Sequence, residues 1–148
     1  FAGRDEMHAW LVTCAASDDP LFFSVVERDT DRRVGMCSFM SISPEMQRIE
    51  IGHIWYAPHL QGSGISIEVA WLLLSEAFER LGYRRVEWKC NALNERSRRA
   101  ALKLGFAFEG VFRQHMIVKG RNRDSAWFSM LDCEWPSARL SLERRFTR

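Results

Sequence analysis

The sequence predicts a single α/β domain, residues 1–148, built on a mixed β-sheet with helices on both faces. Three observations lead to this fold class. Segments rich in β-branched and aromatic residues dominate the chain as far as Tyr56. After Gly64 the apolar residues recur at helical spacing. Strand and helix patterns then alternate, and 148 residues are enough to enclose one hydrophobic core.

The N-terminal part of the chain predicts one helix followed by three antiparallel strands. Residues 4–16 have a helical pattern, which the turn residues 17–20 end. Strand-like segments follow at 21–27, 34–43 and 48–56, separated by polar turns. Successive side chains of a strand point to opposite faces of the sheet. In the third segment we therefore expect Ile49, Ile51, His53 and Trp55 on one face and Glu50, Gly52, Ile54 and Tyr56 on the other.

The remainder of the chain predicts three helices and three further strands. A long helix begins after Gly64 and ends before Gly82, which suits a left-handed C-terminal cap. A strand at 85–90 precedes a helix that Asn94 can cap and Gly105 can end. Strands at 108–118 and 125–131 follow, and Pro136 can open a tail helix.

Composition excludes several classes of protein. The net charge of +2 is too small to indicate a nucleic-acid partner, and no apolar run approaches the ~20 residues of a membrane helix. The four cysteines form no C-x-x-C pair, which is typical of reduced thiols in a cytoplasmic protein. The four histidines lack metal-ligand spacing, so no metal is expected.

The segment 60–66 carries the clearest functional signal, because it joins a strand to the long helix through Gly62 and Gly64. Glycines let a ligand approach the backbone closely, and the first N–H groups of a helix attract anions. A pyrophosphate is the expected ligand, although two glycines alone are also compatible with an ordinary turn. The backbone N–H groups expected to bind it belong to Gly62, Ser63, Gly64, Ile65 and Ser66.

Two motifs make the chain resemble the GNAT acetyltransferase superfamily, and within it the RimJ/RimL-like branch of ribosomal-protein N-terminal acetyltransferases. The family motif Q/R-x-x-G-x-G/A is matched by Gln61, Gly64 and Ser66, where the serine replaces the usual small residue. The later motif N-x-x-S is matched by Asn94 and Ser97. The resemblance covers almost the whole chain. It implies the GNAT fold and a further strand and helix before Phe1 that help to wall the acceptor site.

The resemblance also implies acetyl-CoA as the cosubstrate and gives several residues a role. Gln61, Asn94 and Ser97 are expected to contact the cosubstrate, and backbone N–H groups near Trp55 and Tyr56 to polarise the thioester carbonyl. Ser97 is expected to supply or relay a proton to the departing thiolate. Asn94 is equally well explained as a helix cap. A cluster of basic side chains follows Asn94: Arg96, Arg98, Arg99 and Lys103. Most of them are expected on the solvated face of the helix, and one or two are candidates to contact the ribose phosphate of the cosubstrate.

A general base is useful because the acceptor amine must lose its proton. At pH 7 this costs about 1 kcal/mol for an α-amino group and roughly 4.6 kcal/mol for a lysine. Glu50 is the first candidate for this base, with His53 and His115 as alternatives. Water-mediated transfer is a further alternative.

The predicted function is therefore transfer of acetyl from acetyl-CoA to a primary amine, on a protein N-terminus or a small molecule. The alternatives are an acyl-CoA-binding domain without turnover and a nucleic-acid binder that uses the arginine-rich helix. Neither a membrane nor a nucleic acid is the expected partner. The sequence is compatible with a homodimer and leaves the oligomeric state open.

Overall fold

The computed structural model describes residues 1–146 as a six-stranded sheet with four α-helices. The predicted order of elements is confirmed. The strands are β1 Leu21–Glu27, β2 Arg32–Ser43, β3 Arg48–Tyr56, β4 Arg85–Asn91, β5 Ala107–Val118 and β6 Arg121–Leu131. The helices are α1 Arg4–Ala15, α2 Ile65–Ser75, α3 Glu95–Leu104 and α4 Trp135–Phe146.

The sheet is mixed, with the strand order β1-β2-β3-β4-β6-β5. The first three strands form an antiparallel meander, as the polar turns between them predict. The pair of β3 and β4 is parallel, and α2 is the connection between these two strands. The remaining pairs, β4 with β6 and β6 with β5, are antiparallel. The parallel pair at the centre is the place where a ligand cleft is expected in such sheets.

The core lies between the sheet and helices α2, α3 and α4. Val86, Trp88 and Cys90 alternate along β4 and point into this core. The charged residues between them, Glu87 and Lys89, therefore point to the opposite face of the sheet. The two faces of the sheet thus have different chemistry.

Helix α1 lies on the face opposite α2–α4. Phe23 of β1 packs with Phe39 in the core, whereas its neighbour Phe22 contacts Trp10 of α1. This arrangement confirms helices on both faces. Met7 and Leu11 of α1 are exposed.

The helix after Gly64 ends before Gly82 as predicted, but its last turn and the start of β6 hold features that the prediction did not contain. Helix α2 continues into a π-helical turn, Glu76–Arg80, before Gly82 adopts φ 69°. Strand β6 begins at Arg121 rather than at residue 125, because the β5–β6 turn is only two residues long. Both turn residues, Lys119 and Gly120, have positive φ values of 51° and 72°, as tight hairpins require.

The thiols are unpaired and mostly buried. Cys14, Cys37 and Cys90 are buried and Cys133 is exposed. Burial raises the pKa of the Cys37 thiol to about 11, so it stays protonated at neutral pH. None of the helices within residues 1–146 combines the length and hydropathy that crossing a lipid bilayer demands.

Candidate active site

Strands β3 and β4 separate part of the way along their length. They pair at Arg48–Arg85, Ile49–Val86 and Glu50–Glu87. Further along, β3 stays paired with β2 and β4 stays paired with β6. The two central strands therefore diverge after Glu50, and a wedge-shaped opening forms between them.

A bulge in β3 reshapes the wall of this opening. The register with β2 shifts by one residue after Gly52, and His53 adopts a positive φ of 51°. A bulge reverses the side on which the following residues point. Ile54 and Tyr56 consequently pack against the core, while Trp55 is 51% exposed. The predicted alternation is therefore wrong beyond Gly52.

The glycine loop leaves open space in front of its backbone. Gly62 and Gly64 have positive φ values of 89° and 91°, and apart from the adjoining residues of the chain no atom lies within 4 Å of where a Cβ would stand. The Ser63 hydroxyl turns back and donates to the Leu60 carbonyl at 2.7 Å. Gly64 is the N-cap of α2, so the free N–H groups of the helix start at this open space. The loop has the form that an anion-binding backbone needs.

The wedge and the loop open into one cleft of about 760 Å³. Its wall contains most of the predicted cosubstrate-binding residues: Trp55, Tyr56, Gln61, Gly62, Gly64, Ile65, Ser66, Asn94 and Ser97. Ser63 and Glu50 lie outside this wall. The structure therefore brings the two sequence motifs, of which the first ends at Ser66 and the second begins at Asn94, to one cleft.

Asn94 and Ser97 are positioned by local hydrogen bonds. The Asn94 side chain caps α3 by accepting a hydrogen bond from the Ser97 N–H at 3.1 Å. The indole Nε1 of Trp88 donates to the Ser97 hydroxyl at 3.1 Å. Because a hydroxyl can accept and donate at once, this leaves the Ser97 O–H free to donate into the cleft.

Basic side chains line the cleft on its helical side. Arg96, Arg99 and Lys103 recur at one face of α3, and Arg145 of α4 joins them. Arg96 also donates to the Gln61 side chain at 3.0 Å, which links α3 to the glycine loop. Most of the predicted solvated face is thus a wall of the cleft.

Arg98 is the exception in this basic group. It donates to the Ala92 carbonyl at 3.3 Å and its guanidinium stacks over the Phe108 ring at 5.7 Å. Arg98 therefore supports the packing of α3 rather than the cleft.

Lys89 and Glu50 form an ion pair at the far end of the cleft, in the wedge between β3 and β4. The Lys89 Nζ lies 2.8 Å from the Glu50 carboxylate. The Ser41 hydroxyl also donates a hydrogen bond to this carboxylate, at 3.3 Å. The Glu50 side chain is 2% exposed, whereas Lys89 is 19% exposed and belongs to the cleft wall. Burial raises the pKa of Glu50 above its ordinary value, although Lys89 and Ser41 oppose the change.

The two alternative bases are each held by a buried serine. The Nδ1 atom of His53 lies 2.9 Å from the Ser38 hydroxyl, and that of His115 lies 2.9 Å from the Ser125 hydroxyl. His53 belongs to the cleft wall; His115 instead packs against Trp127 on the neighbouring strand. Of the two histidines, His53 is the one placed beside the cleft.

Trp88 and Lys89 are functional candidates that the sequence interpretation missed. Both lie on β4 and both line the cleft. The signal was present in the alternation of charged and apolar residues over 85–90, which places charges on one face of a central strand. A charge there needs a partner, and the topology supplies Glu50.

Comparison with protein families and curated proteins agrees with this architecture. A model of the acetyltransferase (GNAT) domain matches residues 2–107. The chain is 34% identical over 113 residues to the protein named "Uncharacterized N-acetyltransferase p20" of Bacillus licheniformis, covering 76% of this chain and 63% of that protein. It is 33% identical over 84 residues to the ribosomal-protein-serine acetyltransferase of Escherichia coli (strain K12), covering 57% of this chain and 46% of that protein.

A solved structure is also similar. A GCN5-related N-acetyltransferase from Brucella melitensis superimposes with a TM-score of 0.93 and 46% identity, covering 97% of this chain and 65% of that one. The chain thus spans less than two thirds of the length of each of these three proteins. The mixed sheet, the two motifs at one cleft and these similarities agree, and the chain belongs to the GNAT acetyltransferase family.

Proposed function

We propose that this protein is a cytoplasmic N-acetyltransferase that transfers an acetyl group from acetyl-CoA to a primary amine. The observation that carries the proposal is the cleft between β3 and β4, where the open glycine loop meets a basic wall. The reduced thiols support the cytoplasmic assignment. Acetyl-CoA supplies an activated thioester, and the amine displaces coenzyme A from it.

The residues of the cleft fit a nucleotide-linked diphosphate. The start of α2 lies at the open space in front of the loop, where the helix dipole favours negative charge. The N–H of Ser63 is not one of the donors to this space, because it donates to the Leu60 carbonyl at 3.2 Å. Arg96, Arg99 and Lys103 of α3 provide cations beside it. This donor set suits the phosphates of acetyl-CoA and explains the two left-handed glycines.

A backbone N–H in β3 is suited to stabilise the charge that develops on the carbonyl oxygen. Ala57 donates to the Val34 carbonyl of β2 at 2.7 Å. Because successive N–H groups of a strand point to opposite sides, the N–H of Tyr56 is directed toward the wedge and that of Trp55 toward β2. Of the two predicted donors, Tyr56 is therefore the better placed.

Ser97 and Glu50 are proposed to move the two protons of the reaction. Ser97 protonates the departing thiolate with the O–H that its bond from Trp88 leaves free. Glu50 receives the proton of the amine, and its raised pKa suits this task. Since Lys89 separates Glu50 from the cleft, a water molecule carries this proton.

The proposed acceptor is an α-amino group, in keeping with the similarity to the E. coli ribosomal-protein-serine acetyltransferase. The low cost of deprotonating an α-amino group agrees with a base that acts through water. A small-molecule amine is the alternative that the test distinguishes.

The test measures coenzyme A release with a panel of peptides and small amines. Chromatography is the suitable readout, because the exposed Cys133 would consume a thiol reagent. We expect amine-dependent release and a matching mass increase of the acceptor. Binding of acetyl-CoA without release across the whole panel would support an acyl-CoA-binding domain instead.

A further inference from the structure

We propose that Lys89 determines acceptor specificity by excluding amines that carry a second ammonium group. The proposal rests on the acetyltransferase function above and names the class of acceptor for the same cleft. Lys89 forms an ion pair with Glu50, so this carboxylate in the wedge between β3 and β4 is not available to a cation from solution. Acceptors with a single amino group are thereby favoured over diamines and polyamines.

The other carboxylates on this face of the sheet are also engaged. Glu87, which pairs with Glu50 across the strands, forms ion pairs with Arg85 at 2.8 Å and Arg48 at 3.5 Å. Glu109 on β5 binds Arg85 at 2.6 Å. Each of the three carboxylates on β3, β4 and β5 thus already has a cationic partner.

The wall of the cleft has a strong excess of positive charge. No aspartate or glutamate within residues 1–146 lines the cleft. Its cations are Lys89, Arg96, Arg99, Lys103 and Arg145. Four of these cations lie on α3 and α4, and the fifth, Lys89, lies on β4.

A second ammonium group has two costs in such a cleft. It loses hydration without gaining a carboxylate partner. It also meets the ammonium of Lys89, which is fixed by Glu50 and lies 5.2 Å from the centre of the Trp127 ring. Like charges at close range in a partly buried site disfavour each other, whereas an amine with an uncharged tail meets neither cost.

The experiment compares n-pentylamine with cadaverine, which have the same chain length and differ by one ammonium group. Dissociation constants are measured by calorimetry with coenzyme A bound, and kcat/KM is measured for both acceptors. The variants are Lys89→Met, Lys89→Arg and the double variant Lys89→Met with Glu50→Gln. Lys119→Met, at the exposed β5–β6 turn, is the control for the loss of one lysine.

We expect the unchanged protein to bind n-pentylamine more tightly than cadaverine. Lys89→Met should raise the relative affinity for cadaverine at least about tenfold, because Glu50 becomes free to bind the second ammonium. Lys89→Arg and Lys119→Met should keep the original preference, and removal of Glu50 in the double variant should abolish the gain.

Several outcomes would overturn the assignment of Lys89. These are equal binding of the two amines by the unchanged protein, binding of neither, and an unaltered preference in Lys89→Met. Selective binding without acetyl transfer by any variant would instead refute the proposed enzymatic function while leaving the specificity of the cleft intact.

Discussion

The indole N–H of Trp88 donates a hydrogen bond to the hydroxyl of Ser97 at 3.1 Å, from the central strand β4 to the first turn of α3. The bond fixes the orientation of the one hydroxyl that the second sequence motif supplies to the cleft. The Ser97 lone pair that accepts this hydrogen bond is no longer available to accept one from a ligand. The relationship makes Ser97 a donor toward the ligand, and this role has measurable consequences.

Ser97→Ala should slow acetyl transfer without abolishing it. At pH 7 we expect kcat to fall about tenfold, less than the roughly 10²–10⁴-fold typical of general acids and bases, because a thiolate of pKa near 8.5 leaves fairly easily. The loss should shrink as the pH rises past that value, since the thiolate then needs no proton. The measurement is kcat against pH for both proteins, with Ser141→Ala on the exposed side of α4 as the control. A loss that does not depend on pH would contradict the role in proton transfer.

Gly64→Ala should weaken acetyl-CoA binding beyond its effect on stability. The φ of 91° strains any side chain, and a methyl group would occupy the space in front of the loop. We expect at least a tenfold rise in the dissociation constant, about 1.4 kcal/mol. Gly82→Ala is a matched control, because its φ of 69° brings comparable strain at the far end of the same helix. Calorimetry and thermal unfolding of both variants separate the two effects, and equal affinities in both variants would contradict the prediction.

The α3 cations should recognise the ribose phosphate of the cosubstrate. Arg99→Ala and Lys103→Ala each remove one cation of the cleft wall. Charge-assisted hydrogen bonds contribute about 1.5–3 kcal/mol, so we expect about a tenfold loss of affinity for coenzyme A. The loss should be much smaller for dephospho-coenzyme A, which lacks that phosphate.

Arg98→Ala is the control for these two variants, because it removes an arginine of the same helix that packs on Phe108. It should lower stability and leave the preference for coenzyme A over dephospho-coenzyme A unchanged. If all three variants lose affinity for both ligands equally, the cations act on the phosphates only through the general field of the cleft.

Much of the fold follows from local sequence patterns. Helix α2 was predictable because its apolar residues recur at helical spacing, and α3 because Asn94 and Gly105 stand at its two ends. The start of β6 was missed because Lys119 and Gly120 form a two-residue turn, and Arg121 to Asp124 look like loop residues when read alone. Their strand conformation comes from pairing with β5, which a local pattern does not contain.

The cleft was predictable in part for a related reason. The two motifs identified the loop and the start of α3, since both are continuous in sequence. The bulge at His53 depends on the register with β2, so alternation within β3 could not reveal it. The pair of Glu50 and Lys89 depends on the parallel contact of β3 with β4, which joins residues 39 positions apart.

The pH dependence of stability should reveal the ion pair between Glu109 and Arg85. Hydrogen bonds from Arg85 and Ser129 outweigh desolvation and lower the pKa of Glu109 from its ordinary 4.5 to about 2. A carboxyl with a lowered pKa in the folded state stabilises the protein above its ordinary pKa. This contribution is lost as the pH falls from about 4.5 to about 2, where the folded state must also take up the proton.

Glu109→Gln therefore should reduce the free energy of unfolding at pH 7, and its difference from the unchanged protein should shrink between pH 4.5 and 2. Because the Glu109 side chain is 42% exposed, solvent screening keeps the effect small, and added salt should reduce it further. Urea unfolding across this pH range measures the difference. Glu45→Gln, in the exposed turn between β2 and β3, controls for the change in net charge. Identical pH profiles for the two variants would show that the pair with Arg85 does not stabilise the fold.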